Sequence, residues 1–222
     1  MRIDIFSDVI CPWCYVGKRR LERALAARPE VAQTAEIRWR AFQLNPDMPE
    51  EGIERDLYLR LKFGPSATSA EVYRNVSAVG TEEGIAFNFP AIQRTPNTVE
   101  AHRLIRFAGG HSLQDPLVEG LFQAYFLAGR DIGQRETLLE VAEQAGLPAA
   151  ETRAYLESDT DSAAVRSEDQ QARAAGISGV PCFIIDGHYA LPGAQPPEAL
   201  LQLFDLAREG DEGPRAQTGS PQ

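Results

Sequence analysis

The chain has 222 residues and carries 32 acidic against 22 basic side chains, a formal net charge of -10 at pH 7. That length suffices for one sizeable hydrophobic core, or for a smaller core with an inserted subdomain. The acidic balance disfavours a nucleic-acid backbone or an anionic lipid surface as the main partner. No apolar run is long enough to cross a bilayer, and the N-terminus lacks the pattern of a secretory signal. We therefore expect a cytoplasmic protein with no nucleic-acid or membrane partner.

The N-terminal segment predicts a strand, a cysteine pair and a helix in close succession. An apolar strand is expected over residues 3–7, and helical spacing begins after Cys11-Pro12-Trp13-Cys14. Pro12 suits the first helical position, so Cys11 becomes the N-cap with its sulfur facing the free N–H groups. This environment stabilises a thiolate, the nucleophile in disulfide exchange. Cys14 lies one turn further on the same side, which predicts a redox pair.

Hydrophobic periodicity along the rest of the chain predicts a long helical stretch between strands. The predicted strands cover residues 36–42, 180–185 and 188–191. The predicted helices cover residues 69–79, 98–108, 112–127, 134–144, 149–156, 162–175 and 197–207. Asn97 opens the second of these helices, with Glu100 three residues later as in a capping box. Residues 210–222, rich in Gly, Pro, Ser and Gln, are predicted to be a disordered tail.

This order of elements is typical of an α/β protein with a thioredoxin-like fold and a large α-helical insertion. We expect a discontinuous thioredoxin-like domain over residues 1–62 and 175–209, and an insertion domain over residues 63–174. A proline at the start of a buried strand removes a ladder donor, which is unusual outside a special turn. We therefore predict a cis peptide bond between Val180 and Pro181, packed against the cysteine pair.

Three stretches of the chain resemble the DsbA-like oxidoreductases of the FrnE type. The first is Asp8 to Arg19, with the sequence DVICPWCYVGKR. The second joins Asn97-Thr98 to Ala101-His102-Arg103-Leu104, and the third joins Gly179-Val180-Pro181 to Gly193-Ala194-Gln195. Together the three stretches span nearly all of the chain before the predicted tail, in the order expected for that family.

The resemblance implies a thiol–disulfide oxidoreductase that works without an organic cofactor. It implies that Cys11 attacks, that Cys14 resolves, and that Val180 and Pro181 offer backbone groups to a bound peptide or thiol substrate. Trp13, between the two cysteines, is expected to be exposed and to contact that substrate.

One departure from the wider fold family concerns proton transfer. Many thioredoxin-like proteins carry an acidic residue six positions before the first cysteine, where this chain has Ile5. Asp8 is a better replacement than Asp4 because it approaches the motif, and we predict a proton-transfer role for it. A solvated turn residue is an equally good interpretation of Asp8.

Another departure concerns glutathione. The related kappa-class glutathione transferases and hydroxychromene-carboxylate isomerases have Ser where this chain has Cys11. They also hold glutathione through a Ser-Asp pair at the position of Ala194-Gln195. Tight glutathione binding is therefore not expected, although glutathione stays open as a co-substrate, with Asn45 as its candidate contact.

The remaining candidate residues have ordinary structural interpretations beside the functional ones. A structural zinc site needs four ligands, and beyond the pair only Cys182 and three histidines remain, so no metal is expected. Cys182 should face away from the pair as a buried, inert thiol. His102 fits a structural histidine better than a catalytic base. We nevertheless expect Asn97 and His102 to line a substrate groove that the insertion forms over Cys11.

Three classes of function compete. A disulfide oxidoreductase or isomerase that acts on a thiol or disulfide substrate, as a monomer or homodimer, leads. A thiol- or glutathione-dependent isomerase or transferase of an aromatic or polyketide-like small molecule comes second. A non-catalytic binding module with an idle cysteine pair comes third.

Overall fold

The computed structural model describes residues 1–211. The strands are β1 (Arg2–Ser7), β2 (Glu36–Ala41), β3 (Ile53–Glu54), β4 (Arg94–Thr95), β5 (Cys182–Ile185) and β6 (Tyr189–Pro192). The helices are α1 (Pro12–Ala26), α2 (Pro29–Ala32), α3 (Arg55–Phe63), α4 (Ser69–Glu82), α5 (Val99–Gly109), α6 (Gln114–Phe122), α7 (Arg135–Gln144), α8 (Ala149–Glu157), α9 (Ser162–Ala174) and α10 (Pro197–Asp211). A 3₁₀ turn at Phe89–Ala91 and a π-helical turn at Gln123–Leu127 join them.

Four strands form the main sheet, in the order β2-β1-β5-β6. β1 pairs with β2 in parallel and with β5 antiparallel, and β5 and β6 form an antiparallel hairpin. Ile5 of β1 lies opposite Trp39 of β2 and Phe183 of β5, and all three side chains are buried. The parallel crossover through α1 and the closing β5-β6-α10 unit confirm the predicted α/β thioredoxin-like fold.

The helices between β2 and β5 share one hydrophobic core with the sheet. α5, α6 and α9 contact β2, and α4 lies along α1. Tyr15 of α1 stacks on Phe122 of α6 with 4.9 Å between ring centroids, and Trp39 meets the same ring edge-on at 6.4 Å. The helical insertion is thus packed into the thioredoxin-like part. The domain boundaries at residues 63 and 174 stay a prediction.

Several elements differ from those predicted. α3 and the short β3-β4 ladder were missed, because a nine-residue helix gains most of its stability from packing rather than from local preference. The predicted helix over residues 112–127 begins only at Gln114, because Ser112 has a left-handed backbone with φ of 58°, and its last turn, Gln123–Leu127, is π-helical. α10 continues to Asp211, so residues 210 and 211 of the predicted tail are helical. The rest of that tail lies outside the described residues.

A buried lysine joins α1 to α6. Lys18 falls in the charged part of the α1 sequence, yet its side chain is only 3% exposed. Its ammonium group lies 3.1 Å from Asp115 and 3.3 Å from Glu119, and it also pairs with Glu22. Burial alone would lower the pKa of Lys18, but these three carboxylates raise it above its ordinary value. The ion cluster therefore fixes the helix that carries the cysteine pair to the insertion.

We predict that Lys18→Met lowers the free energy of unfolding by roughly 2–3 kcal/mol. Methionine preserves the packing of the aliphatic chain but leaves Glu119, which is only 20% exposed, without its buried cation. Chemical denaturation measures the loss. Arg23→Met is the matched control, because Arg23 is 61% exposed and its pair with Glu83 should contribute less than about 1 kcal/mol. Equal losses in both variants would contradict a special role for Lys18.

Candidate active site

The cysteine pair lies at the turn from β1 into α1. Cys11 is the N-cap of α1 and Pro12 is its first helical residue, as predicted. The turn is closed by the Cys11 amide, which donates to the Asp8 carbonyl at 3.0 Å, and by the Cys14 amide, which donates to the Cys11 carbonyl at 3.0 Å. Both cysteines are free thiols and both are buried. Trp13 is half-buried against the core, so it is less exposed than predicted.

The two sulfur atoms have different surroundings. Burial raises the pKa of Cys14 well above its ordinary value, and the adjacent Cys11 sulfur raises it further by hydrogen bonding and by charge. The Ser7 hydroxyl and the Asp8 backbone amide oppose that rise more weakly. Cys14 consequently keeps its proton at neutral pH. Stepwise disulfide exchange needs one sulfur atom that attacks first and a second that reacts afterwards. The different surroundings of Cys11 and Cys14 fit these two roles.

Cys11 faces the loop before β5. Its sulfur lies 3.5 Å from the carbonyl oxygen of Val180, to which the thiol donates a hydrogen bond. The sulfur makes no capping hydrogen bond with the first turn of α1, so that part of the sequence expectation was wrong. The Val180–Pro181 peptide bond is cis, as predicted. The carbonyl of Pro181 accepts a hydrogen bond from Gly193 at 2.7 Å, which ties the loop to the end of β6.

Asp8 and His102 meet in the interior. Asp8 is fully buried, which excludes the solvated turn residue that the sequence left open. Its Oδ2 accepts the Leu44 amide at 2.7 Å, and its Oδ1 lies 3.5 Å from Nε2 of His102 on α5. Neither of these last two atoms has a hydrogen-bond partner among residues 1–211. The backbone amide of Asp8 also faces the Cys14 sulfur, so the residue that carries this carboxylate adjoins the cysteine pair.

The two predicted asparagine contacts differ in their availability. Asn97 donates to the Met48 carbonyl at 2.7 Å and accepts from the Val99 amide at 2.9 Å, so both ends of its side chain are used structurally. It opens α5 from one residue before the cap, and the predicted capping box does not form. Asn45 accepts from Lys62 at 3.2 Å, while its buried Nδ2 has no partner in the described chain. Asn45 alone therefore offers a free polar group.

Cys182 and His102 are both buried, but they differ in how they compare with the sequence predictions. Cys182 is buried at the start of β5, and burial raises its pKa, in keeping with an inert thiol. His102 is 3% exposed and does not line an open groove, because it packs inward against Asp8. Within residues 1–211, no group of three or more His, Cys, Asp or Glu side chains is arranged to hold a metal ion.

Sequence reasoning also missed a buried arginine. Arg55 opens α3 with 5% of its surface exposed, and its guanidinium donates to the hydroxyls of Thr95, Tyr125 and Tyr73. No sequence motif indicates this residue, because its hydrogen-bond partners lie in three later segments of the chain.

The fold and the paired cysteines define a thioredoxin-like protein with a helical insertion. Residues 2–205 match the DSBA-like thioredoxin domain, and the chain belongs to that family. None of the helices in the described part of the chain combines the length and apolarity needed to cross a membrane.

Three relatives illustrate the range of similarity. A probable DsbA oxidoreductase from Streptomyces coelicolor is 31% identical, with a TM-score of 0.83 over 100% of this chain and 92% of the other. The uncharacterized protein YwbO of Bacillus subtilis (strain 168) is 28% identical over 198 residues, which are 87% of this chain and 90% of YwbO. The cytosolic disulfide reductase DsbM of Pseudomonas aeruginosa, solved with GSH, shares the fold at 16% identity and a TM-score of 0.64, over 96% of this chain and 98% of DsbM.

We predict that Gly17→Ala lowers the free energy of unfolding by roughly 1–2 kcal/mol, despite the better helix propensity of alanine. An added Cβ at Gly17 would lie 2.9 Å from Cγ of Pro181 and 3.2 Å from Cζ of Phe183, so the cis-proline loop would have to move. Thermal or chemical denaturation measures the effect. Gly179→Ala is the control, because nothing lies within 4 Å of a Cβ there. A Gly17→Ala protein as stable as the Gly179→Ala protein would refute the close approach.

Proposed function

We propose that this protein is a thiol–disulfide oxidoreductase in which Cys11 attacks and Cys14 resolves. The observation that carries the proposal is the asymmetry of the pair: Cys14 is held protonated behind Cys11, which lies against the Val180 carbonyl. Three cysteines in all, with one buried on β5, suit a reducing cytoplasm better than a compartment that favours structural disulfides.

The reaction proceeds in two exchanges. The Cys11 thiolate attacks a substrate disulfide; a Cys11–substrate S–S bond forms, the substrate S–S bond breaks, and one substrate thiolate leaves. Cys14 then loses its proton and attacks the Cys11 sulfur, which releases the second substrate thiolate. The substrate gains two electrons, and Cys11 and Cys14 end as a disulfide. In the reverse direction the same steps oxidise a dithiol, and the backbone beside cis-Pro181 positions the substrate in both.

The second exchange needs a base for the Cys14 proton. We propose that Asp8 takes up this proton. His102, whose Nε2 lies 3.5 Å from Oδ1 of Asp8, stabilises the negative charge of that carboxylate. The proposal is supported by the full burial of Asp8, by its backbone contact with Cys14, and by a carboxylate oxygen that accepts no hydrogen bond from residues 1–211. Asp8 thus supplies from the turn the carboxylate that position 5 lacks.

We also propose glutathione as a thiol co-substrate, and Asn45 supports this part of the proposal. Its buried amide nitrogen has no partner among residues 1–211 and is available to a carbonyl or carboxylate of a small peptide. The structural relative DsbM was solved with GSH, which fits the same idea. In the alternative of a glutathione-dependent isomerase or transferase, the reactive sulfur belongs to glutathione. That activity would persist without Cys11.

We predict that Cys11→Ser abolishes disulfide exchange, whereas Cys14→Ser retains the first exchange and accumulates a mixed disulfide on Cys11. The reason is that only Cys11 attacks substrate, and only Cys14 can release it. Reaction with a peptide disulfide, followed by intact-protein and peptide mass spectrometry, measures both outcomes. Cys182→Ser is the control and should behave as the wild type. Adducts on Cys14 in the Cys11→Ser protein, or full turnover without Cys11, would contradict the assignment.

We predict that Asp8→Asn slows the second exchange by roughly 10-fold or more and leaves the first unchanged. Asparagine can still accept the Leu44 amide hydrogen bond, but it cannot take up the Cys14 proton. Rapid-quench measurement of mixed-disulfide formation and decay separates the two steps. Asp4→Asn is the matched control, because Asp4 is also buried but pairs with Arg2 and Arg40. Equal slowing of both exchanges would show that Asp8 acts on structure alone.

A further inference from the structure

Arg55 is a buried cation without a carboxylate partner. Its Nη1 donates to the Thr95 hydroxyl at 2.9 Å and to the Tyr125 hydroxyl at 3.2 Å, and its Nη2 donates to the Tyr73 hydroxyl. No Asp or Glu oxygen within residues 1–211 lies within 4.0 Å of its guanidinium, and its buried Nε has no hydrogen-bond partner there. Burying an unpaired charge is costly. An anion that is present only during function would give this cation its partner.

The hydroxyls around Arg55 are not equivalent. Tyr125 passes its own hydrogen on to the Arg94 carbonyl at 3.3 Å, so its bonding is complete. Tyr73 accepts from Arg55, but its O–H has no acceptor in the described part of the chain. The Arg55 guanidinium also lies over the Tyr73 ring, 5.0 Å from the centroid. The Tyr73 hydroxyl is therefore a hydrogen-bond donor that Arg55 polarises and that has no acceptor among residues 1–211.

Side-chain packing places this donor near the end of α1 that carries the cysteine pair. Glu83, just after α4, accepts hydrogen bonds from Arg20 at 2.7 Å and Arg23 at 2.9 Å, both on α1. Tyr73 precedes Glu83 by about 15 Å of helix, and Cys11 precedes Arg20 by about 14 Å. Tyr73 stacks on Phe89 at 4.1 Å, Phe89 stacks on Phe87 at 4.9 Å, and Phe87 meets Tyr15 of α1 edge-on at 6.0 Å. Packed rings thus link Tyr73 to the end of α1 that carries Cys11.

The electrostatics agree with that placement. Burial raises the pKa of Tyr73 to about 12; Arg55 opposes the rise, and Tyr58 and Cys11 add to it. Tyr73 and Cys11 also belong to the same buried cluster. With so high a pKa, Tyr73 keeps its proton and acts as a donor rather than as an acid.

We propose that Tyr73, polarised by Arg55, donates a hydrogen bond to the substrate thiolate that leaves when Cys11 attacks a disulfide. This inference rests on the proposed function. As the Cys11–substrate S–S bond forms and the substrate S–S bond breaks, the electron pair moves to the outer sulfur. The Tyr73 hydroxyl and the Arg55 charge behind it stabilise that developing anion. The proton stays on Tyr73, and the released thiolate takes one from water. Arg55 is a positioning residue, since it acts through Tyr73.

The dependence of the rate on the leaving thiol tests the proposal. In a Cys14→Ser background, which isolates the first exchange, the protein reacts with 2-hydroxyethyl disulfide, a poor leaving group, and with 5,5′-dithiobis(2-nitrobenzoate), a good one. Tyr73→Phe should slow the first reaction roughly 10- to 100-fold and the second less than about 3-fold, because a hydrogen bond to a charged group matters most for the more basic thiolate. Phenylalanine keeps the ring stacking of Tyr73 on Phe89 at 4.1 Å, so the fold should persist.

Tyr125→Phe is the matched variant, since it removes another hydroxyl from the same guanidinium and should change both rates by the same factor. Equal slowing of both disulfides by Tyr73→Phe would overturn the inference. So would a shifted pH profile for alkylation of Cys11 by iodoacetamide, because Tyr73 would then act on the attacking sulfur. If the parent Cys14→Ser protein forms no mixed disulfide with either reagent, the proposed function itself fails.

Discussion

Two adjacent sulfur atoms lie in different surroundings, and the proposed chemistry depends on this difference. The turn between β1 and α1 places Cys11 at the helix start and Cys14 one turn deeper. Burial, with the Cys11 sulfur beside it, then raises the pKa of Cys14. The neighbouring groups differ as well: the Val180 carbonyl contacts Cys11, whereas the backbone amide of Asp8, whose carboxylate lies 3.5 Å from His102, faces the Cys14 sulfur.

The helical insertion supplies side chains to the buried interior around the proposed active site. It contributes His102 from α5 and Tyr73 from α4, and α3, which precedes the predicted boundary at residue 63, contributes Arg55; all three residues are buried. The thioredoxin-like part contributes the sulfur atoms and the cis-proline loop. Such a division of labour requires a rigid junction, and the buried Lys18 ammonium supplies one by joining α1 to the Asp115 and Glu119 carboxylates of α6. Chemistry common to a fold can in this way be adapted by groups that a neighbouring segment supplies.

Local pattern was enough to predict much of this protein. The strand, the Cys11 cap, Pro12 at the first helical position and the cis bond before Pro181 all follow from short-range rules. The packing of distant segments does not. His102 and Asp8 are 94 positions apart, and only the packing of α5 against the sheet brings them together.

The features that the sequence did not reveal have physical causes of the same kind. Asn97 is predicted to bind substrate, and the fold adds a structural role, because its side chain bonds to the Met48 carbonyl and the Val99 amide. Lys18 falls in the charged part of the α1 sequence. Helical periodicity cannot reveal that three acidic groups from two helices pair with it. Arg55 gave no signal, since its hydrogen-bond partners are hydroxyl groups that lie 18, 40 and 70 positions further along the chain.

Redox titration of the thiols in graded buffers of glutathione and glutathione disulfide tests the central claim most directly. Thiols are trapped by acid and alkylation at each ratio, and peptide mass spectrometry identifies the state of every cysteine. The account predicts a single two-electron transition that links Cys11 to Cys14, with Cys182 reduced throughout. Separate glutathione adducts on Cys11 and Cys14 at every ratio, or a disulfide that includes Cys182, would contradict it.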